Sequence, residues 1–121
     1  ALGLAPSEGA VIKALTDKTI ELRSVVSPYS FTFKKISKEI IFDVIPADQE
    51  LSIAPENQLR NLLKRHTLYR NLELCRQEYD YILIDAPPNW RVFSQLAVYA
   101  ADVVLIPTKH NNLFSIENAA T

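Results

Sequence analysis

Three apolar runs punctuate this chain, and the residues between them fall at helical spacing. The run "EIIFDVIP" (39–46) places Ile40, Ile41, Phe42, Val44 and Ile45 around a lone Asp43 and closes on a proline. A continuous run of this kind predicts a strand covered on both faces. The second run, "YDYILID" (79–85), ends in Asp85, and the third, "DVVLIP" (102–107), again closes on proline. Between the second and third, "RVFSQLAVYAA" repeats Val92, Leu96 and Tyr99 at helical spacing, with Phe93 and Ala100 beside them. Strand, helix of about ten residues, strand is long enough for a right-handed crossover between parallel strands. The fold class expected is therefore α/β with a parallel sheet and helices on its faces.

The remaining segments add helices. In "PSEGAVIKALTD" (6–17), Ser7 is placed to cap a short helix that carries Val11, Ile12 and Leu15 on one side. After the first run, Leu59, Leu62, Leu63 and His66 share a helical face that Leu72 and Cys75 continue. Pro55 suits a first turn, and Thr67 marks a break between two helices. Residues 19–37, interrupted by Pro28 and followed by Lys34, Lys35 and Lys38, read as loop with at most a minor strand. The three lysines read as a solvated edge rather than an anion site. Arg60, Lys64, Arg65 and Arg70 form a basic group, in which Arg60 and Lys64 share a face. Glu56, four residues before Arg60, can pair with it, so a solvated helix is the favoured reading. His66 has no second histidine or cysteine at ligand spacing and reads as a core or boundary residue.

Composition narrows the classes of function. The chain has 121 residues, 48% of them hydrophobic, which is the size of one domain with a single core. Its 13 basic and 14 acidic side chains create no global field toward nucleic acid or a membrane. No apolar run approaches the roughly 18 residues that span a bilayer. Cys75, the single cysteine, cannot close an internal disulfide; a reducing, cytoplasmic setting is the expectation. There is no methionine, and the chain ends within "SIENAAT", which reads as the opening turns of a helix. The expectation is that residues 1–121 are one α/β segment from the middle of a larger domain, the other possibility being a small protein that lost a methionine before Ala1.

Ligands of parallel sheets gather at the carboxyl ends of strands, and Asp85 stands at such an end. A carboxylate there can orient Mg²⁺ through its bound water, because Mg²⁺ keeps several waters and needs few protein oxygens. Pro87 and Pro88 fix two φ angles and remove two donors, stiffening the turn behind it. The competing reading is that Asp85 caps the helix beginning near Asn89.

The stretch "YDYILIDAPP", a helix, and then "AADVVLIPTKHNNLFSIENAA" resembles the ParA/MinD-type deviant Walker ATPases, above all ParA-type partition proteins. "IIFDVIPADQELS" resembles the family's strand ending in Ile-Pro-Ala, and "LGL" (2–4) the segment after its second phosphate-side motif. The resemblance covers nearly the whole chain and is most specific over 79–107. It implies a sheet of the P-loop NTPase type, here without the first strand, the phosphate loop and the final strands. It implies that Asp85 holds Mg²⁺ through water. It further implies that Ala86, Pro87 and Pro88 form the nucleotide-side segment that responds to the γ-phosphate of ATP. Pro107 matches the proline closing the next strand. The loop after it carries Lys109, His110, Asn111 and Asn112 where many relatives carry a glutamate, so no role is carried over to it. The family's K-G-G-x-G-K-[ST] loop, whose backbone N–H groups wrap phosphates, is absent; Gly3 and Gly9 are not in that arrangement.

The function implied is that of a segment of a MgATP-dependent partitioning ATPase. Such a protein works as a nucleotide-dependent homodimer with a ParB-like activator on non-specific DNA. The chain alone is expected not to hydrolyse ATP. Two other readings compete: a stand-alone scaffold that lost its phosphate loop and binds proteins through 86–91 and 108–113, and a phospho-acceptor domain using Asp85. The last has thin support, because Asp43 lies within its strand rather than at the end.

Overall fold

The computed structural model describes residues 10–47 and 53–109. In chain order these form helix α1 (Ala10–Thr16), a 3₁₀ turn (Leu22–Val25), strands β1 (Ser27–Phe33) and β2 (Lys38–Val44), helices α2 (Glu56–Leu62) and α3 (Thr67–Glu73), a second 3₁₀ turn (Arg76–Glu78), and helix α4 (Val92–Ala100). The cap expected from Ser7, the "LGL" segment, Gly3, Gly9 and His110–Asn112 lie outside the described residues.

The helices follow the apolar spacing. Val11, Ala14 and Leu15 of α1 are buried together with Leu22, Leu59, Leu63, Val92 and Leu96 in one cluster, flanked by Ile20, Val25, Ala54, Leu68, Leu72 and Phe93. The core is thus built by helices packing on helices. α1 stops where the Asp17 carboxylate accepts from the Thr19 N–H (2.8 Å) and the Thr19 hydroxyl (2.6 Å). This local turn competes with further helix and holds the Asp17 carboxyl below the usual range, the hydroxyl bond contributing most. The break at Thr67 is real: its hydroxyl accepts from the Lys64 N–H at 3.0 Å, and its own N–H donates to the Lys64 carbonyl at 2.8 Å. Pro55 stands one position earlier than expected, as the cap residue of α2. Leu62 departs from the expected stripe and is exposed, at the last residue of the seven-residue α2, while Leu59 and Leu63 are buried. Cys75 is buried, and burial pushes its thiol up from the ordinary value. His66 is half-buried at the entry to α3.

The strands correct the expectation for the first apolar run. β2 pairs with β1 antiparallel, in the register Ser27↔Val44 through Phe33↔Lys38. The minor strand allowed within 19–37 is therefore the partner of β2. A hairpin closed by Lys34–Ser37 needs far less loop closure than a crossover, and Ser37 takes the left-handed conformation (φ 48°) that this turn requires. The strand is not covered on both faces; Ile41 and Phe42 are exposed. One face of the hairpin collects Tyr29, Phe31, Phe33, Ile40 and Phe42, with the Tyr29 and Phe42 rings 5.3 Å apart.

Segments 79–85 and 102–107 belong to no strand of the described residues, and those residues contain no parallel pair. Both runs are nonetheless exposed: Tyr81 and Leu83 at 87% and 86%, with Ile82 and Ile84 at 39% and 38%. That alternation is the period of an extended chain resting one side on the molecule. The Tyr79 hydroxyl donates to Asp43 at 2.6 Å, which raises the phenol's pKa and joins this run to β2. Arg76 bridges Glu73 (2.7 Å) and Asp102 (2.9 Å), tying the third run to the end of α3, and Arg23 pairs with Glu78. No helix among the described residues is long and apolar enough to cross a membrane.

Candidate functional site

The site begins with the extended chain Tyr81–Ile84, which delivers Asp85 to the surface. Asp85 is exposed, and among the described residues its carboxylate has no hydrogen-bond or ion-pair partner. Ala86, Pro87 and Pro88 follow, equally exposed, and lead into α4 within four residues.

This turn is knotted at one atom. The Pro87 carbonyl accepts from the Asn89 N–H at 2.8 Å and from the Ser94 hydroxyl at 3.0 Å. Ser94 is buried, so its hydroxyl needs this partner, and the pairing fastens the turn to the first turn of α4. The Asn89 side chain accepts from the Arg91 N–H (3.1 Å), and Gln95 donates to the Trp90 carbonyl (3.2 Å). Pro87 and Pro88 contribute no N–H and have fixed φ, so they enter the loop's hydrogen bonding only as acceptors, through the Pro87 carbonyl.

The capping role weighed for Asp85 falls to other residues. α4 begins at Val92, and the acceptor of the Val92 N–H is the carboxylate of Glu56, at 2.9 Å, from the first turn of α2. Glu56 also pairs with Arg60 at 3.2 Å, the partnership expected from their spacing. A carboxylate against the first N–H of a helix both satisfies an orphan donor and meets the positive end of the helix dipole. Glu56 and Ser94 thus tie the start of α4 to α2 and to the Asp85 turn, and neither stands out in the sequence. Glu56 shows only as half of an i,i+4 pair, and Ser94 only as a small polar residue near the start of a helix.

No group of three or more His, Cys, Asp or Glu that could cage a metal occurs among the described residues. A single exposed carboxylate suits Mg²⁺, which retains its waters, and does not suit a cation that demands an all-protein shell. Of the basic group, Arg60 is engaged by Glu56, and the Arg65 guanidinium lies 5.6 Å from the centre of the Tyr99 ring. Lys109 is exposed, and the residues following it lie outside the described ones.

Comparison with known proteins agrees with the motif. A protein-family model described as an AAA domain matches residues 7–120. The sporulation initiation inhibitor protein Soj of Bacillus subtilis is 39% identical over 67 residues, which is 55% of this chain and 26% of that protein. The chromosome partitioning protein ParA of Caulobacter vibrioides is 43% identical over 68 residues, covering 54% of this chain and 25% of its own. An uncharacterized protein of Methanocaldococcus jannaschii is 33% identical over 97 residues, 75% of this chain and 36% of that one. The aligned part thus spans about a quarter of the first of these relatives. No solved structure matches the chain at a significant level. With a family model matched over nearly its whole length and the partition proteins among its relatives, the chain belongs to the ParA-type partition ATPase family.

Proposed function

We propose that this chain is the metal-side segment of a MgATP-dependent partitioning ATPase. The observation that carries the proposal is the state of Asp85: an exposed carboxylate, without a partner among the described residues, at the end of an extended apolar run, on a turn fastened to α4 through Ser94. In this reading Asp85 holds Mg²⁺ through water, and Ala86, Pro87 and Pro88 face the γ-phosphate. When bound, the ion neutralises phosphate charge; the chain's own part is to present one carboxylate on a stiff turn. The runs 79–85 and 102–107 then lie in a parallel sheet of the P-loop type, whose other strands cover Tyr81, Leu83, Val103 and Leu105. The whole protein works in the cytoplasm as a nucleotide-dependent homodimer, binds DNA non-specifically and answers to a ParB-like activator, as the family membership supports.

The test uses a protein in which this chain is joined to a phosphate-loop segment. MgATP should bind and be hydrolysed there, and Asp85→Asn should lower the rate by roughly 10–100-fold, the usual cost of losing a group that acts on a metal through its outer shell. The 121 residues alone should show no MgATP affinity. If the joined protein binds no nucleotide, or Asp85→Asn is as active as the parent, the proposal fails.

A further inference from the structure

Between α2 and α4 lies an open cleft of about 300 Å³. Leu63, Val92 and Leu96 form its floor, and Arg60, Lys64 and Arg65 stand around it with Gln95. We propose that this cleft is a docking site for an acidic peptide segment of a partner protein, one that places an apolar side chain on the floor and carboxylates against the rim. The proposal rests on the helix geometry and is independent of the nucleotide reading.

Charge argues for it first. The rim gathers three cations, of which Glu56 answers only Arg60. Among the described residues, Lys64 and Arg65 have no carboxylate within ion-pair distance. Arg65 is held toward α4 by the face of the Tyr99 ring, and Tyr99 is in turn braced edge-on by Tyr69 at 6.3 Å. A guanidinium steadied this way loses less freedom when it meets a carboxylate.

Shape argues for a peptide over a nucleic acid. A phosphate backbone is met by cations strung along an open strip and gains little from an apolar floor. Here the cations, all from residues 60–65, border one side of a single dent whose floor is leucine and valine, and whose volume is at the lower end of ligand pockets, enough for one side chain. The aliphatic stems of Arg60 and Lys64 extend the apolar wall while their heads stay in water. Gln95, which already donates to the Trp90 carbonyl, keeps its amide oxygen to accept a peptide N–H.

The test is fluorescence anisotropy of a labelled Glu-Leu-Glu peptide titrated with the whole chain. Binding should saturate and should weaken as salt rises. Replacing the peptide by Gln-Leu-Gln, or Lys64 by glutamate (K64E), should weaken it by about tenfold. Lys34→Glu, the same change of charge on the hairpin, should leave it unaltered. Far-UV dichroism checks that each variant keeps its helices; should K64E lose them, Lys64→Gln removes the charge without adding another and is read instead. The proposal is overturned if no binding is seen, if Lys34→Glu and K64E act alike, or if duplex DNA displaces the peptide from the cleft.

Discussion

Ser94 shows how much one hydroxyl can arrange. It is buried, it sits in the first turn of α4, and its partner is the carbonyl of Pro87. Without it, Pro87 keeps the Asn89 N–H, so the turn persists but loses its link to the helix. Ser94→Ala should therefore lower stability modestly, by about 1 kcal/mol, the usual net worth of a hydrogen bond. A urea melt measures that loss, and protease cleavage within 86–91 should quicken with it. A variant with unchanged midpoint and unchanged cleavage would mean that the proline pair alone holds the turn. Asp85 is different in kind, since nothing among the described residues holds its carboxylate, and its oxygens remain available. The motif made Asp85 and the prolines stand out because an apolar run ending in aspartate and followed by Pro-Pro is a local pattern. Ser94 was not legible, because a serine seven residues beyond a carbonyl reveals its partner only once the intervening turn is folded.

Among elements, the helices were read well and the strands less so, for a physical reason. Spacing of 3.6 fixes which residues of a helix face inward, and the hydrogen bonds stay within the segment, so Leu59, Leu63, Val92 and Leu96 could be placed without knowing their neighbours. A strand's bonds go to a partner that its own pattern does not name. For β2 the partner is the segment just before it, antiparallel through a four-residue turn, where a place in a parallel sheet had been expected. The link between α2 and α4 is likewise a matter of pairing at a distance. Glu56 meets Val92 across 36 residues. Glu56→Ala removes both the cap and the pair with Arg60 and should cost about 1–2 kcal/mol by urea melting. Glu56→Gln, which keeps an acceptor, should recover part of it. Equal losses in the two variants would assign the effect to charge alone.

On the scale of the whole molecule, the described residues divide between a helical cluster that buries its apolar side chains and extended runs that do not. Tyr81, Leu83, Val103 and Leu105 are all more than two-thirds exposed. Backbone and side chains left open together make an edge that pairs with whatever strand it meets. The isolated chain should accordingly self-associate, as seen by light scattering after gel filtration, and Leu83→Lys with Leu105→Lys should shift it toward monomer without loss of helicity. A monodisperse wild-type chain would show that these runs are not where it is open. The buried cluster, at three to nine per cent exposure for most members, contains no large side chain that is wholly enclosed. Such a core gathers the helices and leaves the extended runs outside it.

The Tyr79–Asp43 bond and the Pro87 knot, described above as two separate contacts, together turn the run between them into a span pinned at both ends. Sideways excursions of such a span are largest near its middle, about Leu83, and die away toward the supports. Asp85 lies two residues from the nearer support, so its backbone is restrained while its carboxylate stays free of partners among the described residues. The prolines lock their own φ, and Pro87 biases Ala86 before it toward extended backbone, so the segment from Ala86 to Pro88 moves as one stiff piece. A ligand pulling on Asp85 would thus be felt along that piece, delivered through the Pro87 carbonyl to Ser94 and from there to the first turn of α4.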